Sequence, residues 1–120
     1  MTDAKQIQEI LSQYEKHGWS LRRVLLSDAA KKDLSGATED IFGAAEIISS
    51  DLNAAWFSRS SGVNGEAWEL RRLGGTPFAL IEVFNSDDDE ENQEIARQDM
   101  QTRLRELSSK NTNRELSENS

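Results

Sequence analysis

Apolar residues return at Ile7, Ile10, Leu11 and Tyr14, the i, i+3, i+4, i+7 spacing of one helical face, and this predicts a helix over residues 3–17. Thr2 or Asp3 supplies its N-cap, and Gly18 follows where a left-handed residue is favoured. The stretch WSLRRVLLS at 19–27 alternates instead, with Trp19, Leu21 and Leu25 on one face of a strand and Val24 and Leu26 on the other. Ser27 then opens, and Gly36 closes, a short helix over 28–34. Between 37 and 53 two periods compete. Ile41, Ala45, Ile48 and Leu52 fit a helical face, whereas Gly43, Ser49 and Ser50 break it, so this segment reads as a connection carrying a short helical or extended piece.

Three strands follow closely, over 54–60, 66–73 and 78–84. Asn64-Gly65 and Gly74-Gly75 separate them and supply residues that tolerate positive φ, so the pattern predicts an antiparallel meander. The second loop leaves two registers open. A loop of Gly74 and Gly75 alone gathers Trp68, Leu70, Ala79, Ile81 and Val83 on one face. A loop longer by one residue puts Trp68 and Leu70 with Phe78, Leu80, Glu82 and Phe84. Under either register the last strand is apolar on both faces, so each face needs cover from elsewhere. Pro77 sits at the start of that strand, where its missing donor is tolerated.

After Asn85 the chain turns acidic. Ser86 or Asp87 caps a helix that carries Asp88, Asp89, Glu90 and Glu91 in its first turns and Arg97, Arg103, Arg105 and Lys110 later, a polarity that complements the helix dipole. Ile95, Ala96, Met100, Leu104 and Leu107 make a narrow apolar stripe, which suggests docking along one edge of the fold. The last ten residues, NTNRELSENS, lack any stripe. The expected organisation is one α+β domain over 1–110 and a disordered tail over 111–120. Its architecture is a four-stranded antiparallel sheet, including the three-strand meander, packed by the first and last helices in the order α-β-(short α)-β-β-β-α.

Charge narrows the partners. With 14 basic and 22 acidic residues the net charge is -8, a field that repels a phosphate backbone, so direct nucleic-acid binding is not expected. The absence of cysteine removes thiolate chemistry and suits a reducing, cytoplasmic setting. Residues 1–13 are polar and amphipathic rather than a signal peptide, and no apolar run reaches membrane-spanning length, so no membrane partner is expected.

Candidate chemistry is sparse. His17 is the single histidine, so a multi-histidine metal centre cannot form within one chain. GGTP and SGVNG lack the lysine and spacing of a phosphate loop, and no G-x-G-x-x-G or G-x-S-x-G occurs. The acids at 87–91 lack the glycine-broken spacing of a calcium loop; helix-terminal charge, or a handle for a basic partner, suits them better. Alternation sends Arg22 and Arg23 to opposite faces, and Arg71 and Arg72 likewise. Arg59 and Arg71 could bind a carboxylate or phosphate beside an exposed aromatic such as Trp56. The plainer reading pairs them with Glu66, Glu69 or Glu82 across strands. Glu82, the single charge in FALIEVF, demands a partner, for which Arg71 or Arg59 is the expected choice.

These features select a small non-catalytic protein-binding or adaptor domain, with a protein partner or a second copy of itself, and with Trp56, Arg59, Glu69, Arg71 and Glu82 as the candidate surface. No cofactor or metal is expected. Two alternatives stand beside it. One is a small anionic ligand held, or turned over, in an Arg/Glu pocket; the other is an acidic mimic that occupies a partner's nucleic-acid-binding surface through residues 87–91.

Overall fold

A computed structural model describes residues 3–74 and 77–118, with side chains described as far as residue 107. The first helix, α1 (Ala4–Lys16), begins where the Asp3 carboxylate accepts hydrogen bonds from the amides of Lys5 and Gln6, and Gly18 turns the chain at φ 87°. Strand β1 (Ser20–Leu26) leads to α2 (Asp28–Asp33), which Ser27 caps through the amide of Ala30, and then to α3 (Thr38–Phe42). Strands β2 (Glu46–Ser49), β3 (Ala54–Ser60), β4 (Gly65–Arg72) and β5 (Ala79–Asn85) precede the last helix, α4 (Glu90–Glu118). The tail expected at 111–120 falls where side chains, and at its end the backbone, lie outside the described residues.

The fold is α+β, but its sheet has five strands in the order β2-β1-β3-β4-β5, not four. It is mixed rather than antiparallel. β2 runs parallel to β1 as an edge strand, because α2 and α3 provide the crossover that a parallel neighbour requires. The helical spacing that runs from Ile41 to Ile48 spans two different elements, which explains why the periods conflict there. The other neighbours pair antiparallel, and β3, β4 and β5 form the expected meander.

The first and last helices lie on opposite faces, giving three layers rather than two. On the front, α1, α2 and α3 cover Val24 and Leu26 of β1 and Ala55 and Phe57 of β3, with Ile7, Leu34 and Phe42 filling between them. On the back, α4 sets Met100 and Leu104 against Leu25, Trp56, Trp68, Leu70 and Phe84. The last helix thus docks on a face, not along an edge. Its buried stripe is centred on Met100 and Leu104, which leaves Ile95 exposed. Each large apolar side chain buried this way contributes about 1.5–3 kcal/mol.

Two details of register decide where side chains go. Glu66 pairs with Phe84, Trp68 with Glu82 and Leu70 with Leu80, so Trp68 and Leu70 share the back with Leu80, Glu82 and Phe84, the second of the two registers open from sequence. In β1 the pairing to β3 slips between Leu21 and Arg23. This bulge corrects the expected alternation. Leu21 joins Val24 and Leu26 at the front core, and Arg22 and Arg23 both reach the back, over the Trp68 ring.

Candidate functional site

Odd-numbered residues of β3, β4 and β5 point to the front, so Arg59, Ala67, Glu69, Arg71, Ala79, Ile81 and Val83 share that face. The front helices pack over β1 and β3, where Tyr14 stacks on Phe57 at 4.0 Å between ring centroids. Beyond that line the front is open: Ile81 is 58% and Val83 56% exposed. β5 was expected to need cover on both faces. α4 supplies it at the back, and no described element supplies it at the front.

A polar row borders the open apolar strip. The Tyr14 hydroxyl donates to a Glu69 carboxylate oxygen, tying α1 to β4. Burial and this charged neighbour push the Tyr14 phenol well above its ordinary value, so it remains protonated and a donor. Arg71 also reaches Tyr14, and its Nη1 donates to the carbonyl of Arg72 at 2.8 Å. Arg59 Nη1 donates to the carbonyl of His17 at 3.2 Å, at the end of α1, while its guanidinium lies 5.3 Å from the Trp19 ring centre. Among the described residues neither Arg59 nor Arg71 forms an ion pair. A hollow of about 420 Å³ lies where Arg59, Trp19, His17, Tyr14 and Gln13 meet.

The five residues singled out by sequence therefore divide. Arg59, Glu69 and Arg71 share the front. Trp56 points to the back and is 0% exposed beneath α4, so it is a core residue and not an exposed platform. Glu82 is also on the back. Its partner is Arg103 of α4 at 3.4 Å, not Arg71 or Arg59, so these three do not line one pocket. Ile81, Val83 and Tyr14 complete the surface and were missed as site residues. The signal for Ile81 and Val83 was the doubly apolar pattern of 78–84, which counts too many faces for one covering helix; Tyr14 read only as a member of the apolar stripe of α1.

The back holds a second concentration of charge. The guanidiniums of Arg97, Arg22 and Arg23 lie 4.4, 5.2 and 5.7 Å from the Trp68 ring centre. The Trp68 indole donates to Glu66 at 2.6 Å. Arg97 bonds Glu90 and, at 2.9 Å, Glu94; Arg23 reaches Glu94 at 3.0 Å. Two donors here, Trp56 Nε1 and Arg97 Nη1, are buried without a hydrogen-bond acceptor, and both side chains abut the Trp68 ring, whose face is a weak acceptor. Glu90 and Glu94 hold Arg97 and Arg23, while Arg22 donates to Ser58 Oγ at 3.4 Å, which makes this cluster a clasp for α4.

Of the acids at 87–91, Asp88 accepts from the amide of Asn85, Asp89 accepts from the amide of Glu91, and Glu90 holds Arg97. No group of three or more histidine, cysteine or acidic side chains among the described residues is gathered to hold a metal ion. Nor is any helix among them long and apolar enough to cross a membrane. Comparison of the chain with protein-family models, with curated proteins and with solved structures finds no match.

Proposed function

We propose that this chain is a small non-catalytic protein-binding or adaptor domain, acting in the cytoplasm through the open front of β4 and β5. The observation that carries the reading is the exposure of Ile81 and Val83, side by side on a strand whose other face packs Phe84 and Leu80 into the back core. Neighbouring exposed Ala79, with half-buried Glu69 and Arg71, gives the strip an apolar centre and a charged border, the anatomy of a protein-binding patch. Arginine near such a centre commonly carries much of the binding energy.

The test is quantitative affinity capture from the native cell with the wild type, Ile81→Asp, Arg71→Ala and Arg59→Ala. Retention of the partner should fall roughly tenfold, equivalent to about 1.4 kcal/mol, in the first two variants, with the unfolding midpoint held near wild type. Undiminished capture by both removes the surface.

A small anionic ligand is the second reading, favoured by Arg59, which stands in the hollow beside Trp19 and His17 without a carboxylate partner among the described residues. Phosphate or a dicarboxylate that raises the melting temperature of the wild type but not of Arg59→Ala would support it.

A further inference from the structure

β5 ends the sheet order, and its outer row of backbone groups faces no strand among the described residues. The inward groups are fixed by two bonds: the amide of Arg72 donates to the carbonyl of Phe78, and the amide of Ser86 donates to the carbonyl of Asn64. Even positions of β5 thus turn to β4, and Ala79, Ile81 and Val83 present their amides and carbonyls outward. The row is closed at both ends. Pro77 has no amide hydrogen, and Asn85 is used within the chain, its amide donating to Asp88 Oδ2 and its carbonyl accepting from the amide of Asp88, both at 2.9 Å. What remains available is symmetric about Ile81.

From this symmetry we infer that a second copy of the chain pairs with β5, antiparallel and two-fold about Ile81, joining two sheets edge to edge. Ile81 then faces Ile81 of the second copy, and Ala79 faces its Val83, each pair exchanging both backbone bonds. The side chains of these residues lie on the open front, so the exposed apolar strip of one copy continues into that of the other. Charge favours the same sense of pairing. One end of β5 lies beside Arg71 and Arg72, and the other runs into the acids at 87–91. Antiparallel pairing brings the acidic end of each copy toward the basic end of its mate, whereas parallel pairing would set acid against acid. β5 also lacks the devices that guard an edge. It has no lysine, no proline and no bulge, and Glu82, its single charge, is turned to the back and engaged with Arg103. The other edge, β2, is four residues long.

The inference rests on the protein-binding reading and names a partner for it, and one set of measurements separates the two. Sedimentation velocity should give twice the 13.5 kDa chain mass, with an association that weakens as salt is raised. Ile81→Lys should raise the dimer dissociation constant at least tenfold while circular dichroism stays unchanged. Val83→Pro should do the same by deleting one outward amide and no bond to β4. Because the chain has no cysteine, Ile81→Cys carries a single nitroxide. Paired Cα atoms about 5.5 Å apart should broaden its spectrum strongly, while a label at Ile47→Cys on the opposite edge should not broaden. A chain that stays monomeric, or a dimer whose label at 81 is unbroadened, overturns the pairing. If that monomer still loses its captured partner in Arg71→Ala, the pairing alone has failed. If the dimer forms as described and capture is untouched by Arg71→Ala and Arg59→Ala, recognition of other proteins by the front has failed and the pairing stands.

Discussion

Burying a guanidinium is unfavourable by several kcal/mol unless its charge is met, and Arg97, 1% exposed, meets it with Glu90, Glu94 and the face of Trp68. Glu94 is the joint of this cluster, accepting from Gln98 at 2.8 Å, from Arg97 at 2.9 Å and from Arg23 Nη1 at 3.3 Å, with Arg23 Nη2 at 3.0 Å from its other oxygen. Partial burial opposes its charged form, yet the bonds from Gln98, Arg23 and Arg97 together outweigh it and hold the carboxyl at about 2. An unfolded glutamate titrates near about 4.3, so the folded value is depressed. The stability this supplies is fully present above the unfolded value and is lost as pH falls through the folded one. Glu94→Gln should therefore be less stable than wild type near neutrality, and the gap should close as pH is lowered from about 5 toward about 2. Urea midpoints of the two proteins over that range are the measurement, and a gap independent of pH would contradict the assignment. Arg97 itself was partly legible. It stands at i, i+3 and i+7 with Met100 and Leu104, the buried stripe of α4, but a search for apolar residues alone passes over a cation whose stem and charge are both met by packing.

At the scale of elements, the β3–β4 turn shows how a sequence signal can be right in outcome and different in mechanism. Asn64-Gly65 announced a turn, but the left-handed residue is Gly62, at φ 72°. Gly65 is needed for another reason: a Cβ there would stand 2.3 Å from the Ser61 carbonyl oxygen, which is backbone and cannot swing away. Gly65→Ala should destabilise the protein by about 1–3 kcal/mol through forced overpacking. Gly62→Ala, with open space around its Cβ position, should cost about 1–2 kcal/mol for the left-handed backbone alone. Gly62→Asn should fall below Gly62→Ala, because asparagine tolerates that region. Chemical unfolding of the three variants decides it, and a neutral Gly65→Ala would refute the close approach. The strands of the meander were legible from alternation and turn residues. The bulge at Arg22 and the parallel strand β2 were not, because both depend on neighbours distant in sequence: a slip against β3 in one case, and the crossover through α2 and α3 in the other.

For the whole molecule, the consequential asymmetry is between a back closed by one helix and a front closed over only part of its width. The doubly apolar β5 made it clear that cover was required, but not how much one helix would provide. That depends on where α4 lies: on one flank Arg103 holds Glu82 of β5, and on the other Glu94 and Arg105 hold Arg23 of β1 and Asp51. Three of the five residues chosen from sequence fall on the open front because parity along β3 and β4 fixes their face. Trp56 and Glu82 fall on the back for the same reason, so alternation was a sounder guide than residue chemistry. The two apolar sets should respond differently to mutation. Leu104→Ala removes a fully buried side chain from beneath the sheet and should cost about 2–5 kcal/mol. Ile81→Thr and Val83→Thr alter exposed positions and should each cost within about 0.5 kcal/mol, measured at dilutions where association adds nothing to stability. Equal losses at Leu104 and Ile81 under those conditions would mean that the front strip supports the core of a single chain, leaving no surface free to receive a partner.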